Sequence, residues 1–116
     1  MAKATEFAAI ALSLEGTVEQ PHFDRKAFKA RRIYASLAPD GLTANIQFPP
    51  DEQEFRCEAQ PNAYRPVPNK WGAQGWTTAV LLELTPDELK VALTSAWQYQ
   101  ASKTAPRRRR RRNLRA

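Results

Sequence analysis

The one histidine of the chain, His22, stands two residues before Asp24, and the one cysteine, Cys57, follows Arg56. A hydrolase built on His22 would need a nucleophile in a recognisable setting, and the sequence holds neither a G-x-S-x-G segment nor a second histidine. His22 therefore reads as a structural residue near a strand end. A neighbouring arginine favours the thiolate, yet a lone cysteine is more often buried filler, and Cys57 is assigned no chemistry. One histidine and one cysteine cannot assemble a Cys/His zinc set. The expectation is a protein that is not an enzyme, with no catalytic residues, no cofactor and no metal.

The segment NKWGAQGWTT, residues 69 to 78, raises a different chemistry, that of stacking. Trp71 follows Lys70 and has no periodic partner, so its indole either stacks on a base, a peptide or a ligand, or folds back as a lid. Trp76 opens an alternation that continues through Thr78, Val80, Leu82 and Leu84, which reads as a cap on the apolar face of a sheet. With His22 and Tyr64, the two indoles are the walls of an expected groove.

Arg25, Lys26, Lys29, Arg31 and Arg32 place five cations within eight residues. In extended chain, Lys29 and Arg31 fall on one face and Arg32 on the other. They form either a solvated edge that discourages strand pairing or a phosphate-binding wing that Arg65 and Lys70 extend. The other basic feature is PRRRRRRNLRA at the C-terminus, with Arg107, Arg108, Arg109, Arg110, Arg111, Arg112 and Arg115. Residues 1 to 106 sum to −1 and residues 107 to 116 to +7, so the net charge of +6 resides in the tail. The arginine run repels itself too strongly to fold alone and would bind polyanions by counterion release.

These residues need a scaffold. A chain of 116 residues supports one core, and an apolar content of 42% is ordinary for a folded domain. The cysteine count excludes an internal disulfide and no apolar run approaches a membrane span, so a soluble, cytoplasmic protein without a membrane partner is expected. Phe7, Ile10, Ala11 and Leu14 have helical spacing, with Thr5 as the expected N-cap and Gly16 as the stop. Strands are expected near 17 to 22, 27 to 31, 32 to 38 and 43 to 48. The last two form a hairpin around Pro39-Asp40-Gly41, with Ile33, Ala35 and Leu37 on one face and Tyr34 and Ser36 on the other.

Residues 49 to 61 read as a short helix between prolines, and residues 64 to 75 as a loop. A strand follows from Trp76 to Leu84. Thr85-Pro86-Asp87-Glu88 is a capping box that opens a helix running to about residue 103, with Leu89, Leu93, Ala96 and Trp97 as its stripe. The order predicts an α+β domain over residues 1 to 105, with N- and C-terminal helices on one face of an antiparallel sheet. Residues 106 to 116 are a disordered Arg-rich tail on this reading.

Residues 11 to 48 and 63 to 84 resemble the MmcQ/YjbR family of small bacterial proteins, and the likeness extends over nearly all of residues 5 to 103. The pieces that carry it are LSLEG at the end of the first helix, His22-Phe23, the IYASL strand, Arg65 to Pro68 and Gly75-Trp76. The resemblance implies a frataxin-like, or double-wing, α+β fold and a DNA-binding role. Iron handling on such a fold would need carboxylates along the first helix, where only Glu6 is found, so no iron is expected. The leading expectation is a nucleic-acid-binding module of low sequence specificity that uses the tail and the cationic wing. The alternative is a module that binds a protein or small ligand in the Trp-walled groove.

Overall fold

The computed structural model describes residues 1–104. Its elements are α1 (Ala4–Ser13), β1 (Val18–His22), β2 (Arg25–Ala30), β3 (Arg32–Leu37), β4 (Thr43–Gln47), α2 (Pro50–Ala59), β5 (Tyr64–Pro66), α3 (Lys70–Ala73), β6 (Trp76–Val80) and α4 (Pro86–Thr104), with a 3₁₀ turn at Leu81–Glu83. All strand pairs are antiparallel, in the order β1-β2-β3-β4-β6-β5. The fold is α+β, a six-stranded sheet flanked by N- and C-terminal helices in a double-wing-like arrangement.

Local chemistry sets the helix ends. At α4 the Thr85 N–H donates to Glu88 Oε1 at 2.9 Å and the Glu88 N–H to Thr85 Oγ1 at 3.0 Å, the reciprocal pair of a capping box. At α1 the cap lies earlier than Thr5, because the Lys3 N–H donates to Glu6 Oε1 at 2.9 Å. Phe7 and Ala11 of α1 and Leu89, Leu93 and Ala96 of α4 are fully buried over Phe28, Ala35, Ile46 and Phe48 of the sheet side. Burial of the Phe, Leu and Ile side chains among them stabilises by roughly 1.5–3 kcal/mol each. Phe7 meets Phe28 edge-on at 5.5 Å.

The two faces of β3 differ from the simple alternation. Phe28 pairs with Ala35 and Lys29 with Ile33, which leaves Tyr34 as an extra residue in a β-bulge. Tyr34 and Ala35 therefore both turn to the helices, while Ile33 and Ser36 both line the opposite face. The Tyr34 hydroxyl secures this by hydrogen bonding Thr17 Oγ1 at 2.9 Å and donating to the Ala11 carbonyl at 3.3 Å.

Strand β6 is also shorter and differently faced than expected. Thr77 and Ala79 are the buried residues, partnered with Ile46 and Ala44. Beyond Val80 the 3₁₀ turn carries Leu81 and Leu84 into the core and leaves Leu82 exposed. Helix α2 contributes no fully buried side chain; Cys57 packs partly buried against the core, and polar contacts add to the attachment. Glu52 accepts from Arg56 Nε at 2.7 Å and from Ser95 Oγ of α4 at 2.6 Å.

Candidate functional site

On the sheet face away from α1 and α4 lies a groove of about 430 Å³. Its floor follows from register. Ser36, Asn45 and Thr78 are successive cross-strand partners, so they share a face, and Thr78 Oγ1 donates to Asn45 Oδ1 at 3.0 Å. Ile33 and Trp76 complete the floor, the first placed there by the Tyr34 bulge and the second by the alternation of β6. A row of small polar side chains between two apolar ones gives a shallow surface with hydrogen-bonding capacity at its centre.

One wall is the two-residue turn between β1 and β2. His22 pairs with Arg25, which leaves Phe23 and Asp24 at the tip. Phe23 has φ 60, at the turn position where glycine is usual, and its side chain is 92% exposed. Its ring meets His22 edge-on at 4.8 Å. A large apolar ring held in the left-handed region and turned to solvent contributes nothing to the core, so its contribution is at the surface. Arg25 lies half-buried behind it, with Nε donating to Ser36 Oγ at 2.9 Å and Nη2 to the Ser36 carbonyl at 3.3 Å.

The other wall is α3, a single turn that carries Trp71 against Val67. Asn69 holds φ 69 and ψ −156, a region other residues avoid, and its side chain accepts from the Trp71 N–H at 3.0 Å. Gly72 is required because a Cβ there would lie 2.0 Å from the Val67 carbonyl oxygen. Gly75, at φ 98, would place a Cβ 1.8 Å from the Phe48 carbonyl oxygen. Gln53 of α2 donates to the carbonyls of Gly72 and Trp76, both at 3.0 Å. The turn is thus bolted to its surroundings while the Trp71 indole remains half exposed.

Charge is segregated between the layers. The six strands, the Arg31 turn and α3 carry seven Lys and Arg residues and one acid, Glu19 of β1, whereas α1, α2 and α4 carry seven acids and three cations. A domain near neutrality therefore has a basic sheet and acidic helices, which directs an anion to the groove side.

The structure brings His22, Trp71 and Trp76 together in the groove and adds Arg25. Tyr64 is not among them. It is buried against Phe48 at 5.9 Å on the helix side of the sheet, with the Arg56 guanidinium 5.6 Å above its ring. Trp76 does not cap the core, since Thr77 and Ala79 occupy that face. Lys70 is exposed beside Trp71, and Arg65 is exposed opposite Thr78. Lys26 is paired with Glu19 at 3.9 Å, Lys29 is half-buried, and Arg31 and Arg32 are exposed at the β2–β3 turn. Arg107 to Arg112 and Arg115 lie outside the described residues.

Phe23, Ser36 and Asn45 are not among the binding residues that the sequence suggests. The strands expected near 17 to 22 and 27 to 31 leave four residues between them, and only the observed pairing of His22 with Arg25 puts Phe23 at the tip of a two-residue turn. Burial raises the Cys57 thiol pKa, the reverse of activation by Arg56, so the thiol stays protonated at neutral pH. Among the described residues no three His, Cys, Asp or Glu side chains cluster as a metal site, and no helix is long and apolar enough to cross a membrane.

No curated protein matches the sequence. Among solved structures the chain is similar to the Deinococcus radiodurans protein DR2400, with its domain DUF419, at a TM-score of 0.73 and 20% identity over 90% of this chain and 81% of that one. At that identity the likeness concerns the fold alone. The YjbR family model matches residues 12–99, a span that takes in all six strands and most of α4. The chain belongs to the YjbR family.

Proposed function

We propose that the protein is a non-enzymatic nucleic-acid-binding module of low sequence specificity, with the groove face as the folded contact surface and the C-terminal arginines as a polycationic supplement. The observation that carries this reading is the Arg25 guanidinium, half-buried in a groove that His22, Phe23, Trp71 and Trp76 also line and without a carboxylate partner among the described residues. Such a cation is suited to a phosphate, while Trp71 and Phe23 offer flat faces to bases. The segregation of charge brings Arg65 and Lys70 to the same side of the molecule.

Salt dependence of oligonucleotide affinity tests the proposal. If five to seven arginines of the tail engage phosphates, log affinity falls against log salt with a slope of roughly −3.5 to −6, and truncation after Ala105 reduces this to about −1 to −2. Absence of measurable binding to any oligonucleotide at low salt would refute the reading.

A further inference from the structure

The groove holds more binding capacity than the fold uses. Thr78 occupies Asn45 Oδ1, which leaves Asn45 Nδ2 as a donor without a partner among the described residues. Arg25 commits Nε and Nη2 to Ser36, and its remaining N–H groups have no partner among the described residues. Trp71, Trp76 and Phe23 line the same groove. A volume of about 430 Å³ matches sites for small molecules and admits a single ring system rather than a duplex.

We infer that this groove is a site for one planar ring bearing an anionic group, namely a single unstacked nucleotide with its base between Phe23 and the two indoles and its phosphate on Arg25. It deepens the nucleic-acid reading above and rests on that reading only for one of two sources, a base of a single strand as opposed to a free mononucleotide. In a duplex the base faces are already stacked on one another, so neither indole can reach them. Ring stacking provides the apolar contact, Asn45 Nδ2 meets an acceptor on the base edge, and the anion neutralises the Arg25 charge. The Asn69 and Phe23 backbones, both held at positive φ, keep the two walls in place before the ligand arrives.

The experiment uses the full chain, with amide and indole N–H spectra and tryptophan fluorescence recorded during titration with AMP, adenosine and inorganic phosphate. AMP is expected to shift the Phe23, Arg25 and Asn45 amides and both groove indoles. Phosphate alone, which senses exposed arginines anywhere in the chain, leaves the indoles unmoved. Adenosine binds about tenfold more weakly than AMP, because it lacks the charge-assisted contact to Arg25. Trp71→Ala lowers AMP affinity by about tenfold, in the range found for loss of one stacked base.

Displacement of AMP by a short oligothymidylate, with duplex of the same length failing to displace it, supports the site and assigns it to single strands. Oligothymidylate binding that leaves AMP in place supports the site as one for a free nucleotide, and removes the groove from the nucleic-acid reading. Identical responses to AMP and phosphate, or unchanged AMP affinity in a folded Trp71→Ala variant, would overturn the inference even where oligonucleotides still bind.

Discussion

Arg25 donates to both the hydroxyl and the carbonyl of Ser36, at 2.9 and 3.3 Å, so the neighbouring strand fixes the guanidinium without neutralising it. A carboxylate partner would have given the residue a structural purpose. A serine only orients it, and among the described residues no carboxylate neutralises the charge, as the proposed phosphate contact requires.

Arg25→Gln is expected to lower oligonucleotide affinity by roughly 1.5–3 kcal/mol, the range for a hydrogen bond to a charged group. Arg25→Lys should recover only part, because it restores the charge without the planar fork. Melting temperatures in both variants should stay close to the parent, since the Ser36 contact is partly exposed. A binding titration beside a thermal melt separates these effects, and full affinity in Arg25→Gln would show that the groove cation is not used.

Trp71 and Trp76 share the groove but differ in attachment. Trp71 is half exposed on the rim, and its replacement by alanine should cost under about 1 kcal/mol in urea unfolding. Trp76 sits in a strand between β4 and β5, and Trp76→Ala should cost roughly 1–3 kcal/mol, less than deletion of a core aromatic. Equal and large losses in both variants would mean that the pair plugs the fold.

The contrast between these tryptophans also shows what the sequence can reveal. Local signals were read well: the Thr85–Glu88 box, the Pro39-Asp40-Gly41 turn and the period of β4 involve residues a few positions apart. Period two identifies which residues of β6 share a face, but not which face the helices cover. Alternation alone therefore puts Trp76 on the core face, where the smaller Thr77 and Ala79 lie. Alternation likewise sets Tyr34 opposite Ala35, since the bulge that turns both to the helices is held by contacts with Thr17 and Ala11, distant in sequence. Tyr64 seemed a groove residue until pairing of β5 with β6 set it opposite Ala79. The basic sheet was hidden in a near-zero domain charge, which only the strand assignments divide.

The glycines beside Trp71 permit a sharper test of the wall that carries it. Gly75→Ala would drive a Cβ into the Phe48 carbonyl and impose positive φ on a residue that resists it. Gly72→Ala collides with the Val67 carbonyl in the same manner. Each should destabilise by at least about 2–4 kcal/mol, well above an ordinary surface substitution. Gly16→Ala is the control, since its φ is also positive but nothing lies within 4 Å of the added methyl, and it should cost only about 1 kcal/mol. Chemical denaturation of the three variants measures the difference, and similar costs at all three sites would show that close backbone approach is not the reason for Gly72 and Gly75.

Alkaline pH probes the packing of the sheet against the helices. Burial raises the Tyr34 hydroxyl above its ordinary value of 10.0, with the Thr17 hydrogen bond offsetting part of the rise. Burial raises Tyr64 as well, against the opposing pull of Arg56. A phenol loses its proton to become charged, so between the unfolded and folded pKa values the unfolded chain binds fewer protons than the native one. Stability must then fall as pH rises. The contribution of both residues is complete below about pH 10 and disappears as pH climbs through the folded values. Melting temperature should accordingly be insensitive to these tyrosines at neutral pH and decline above about pH 10. Tyr34→Phe should cost about 0.5–1.5 kcal/mol at neutral pH, through the lost hydrogen bonds to Thr17 and Ala11, and should make the alkaline decline shallower. Tyr64→Phe should also reduce the decline. An alkaline profile identical to the parent in the double variant would show that neither buried phenol governs it.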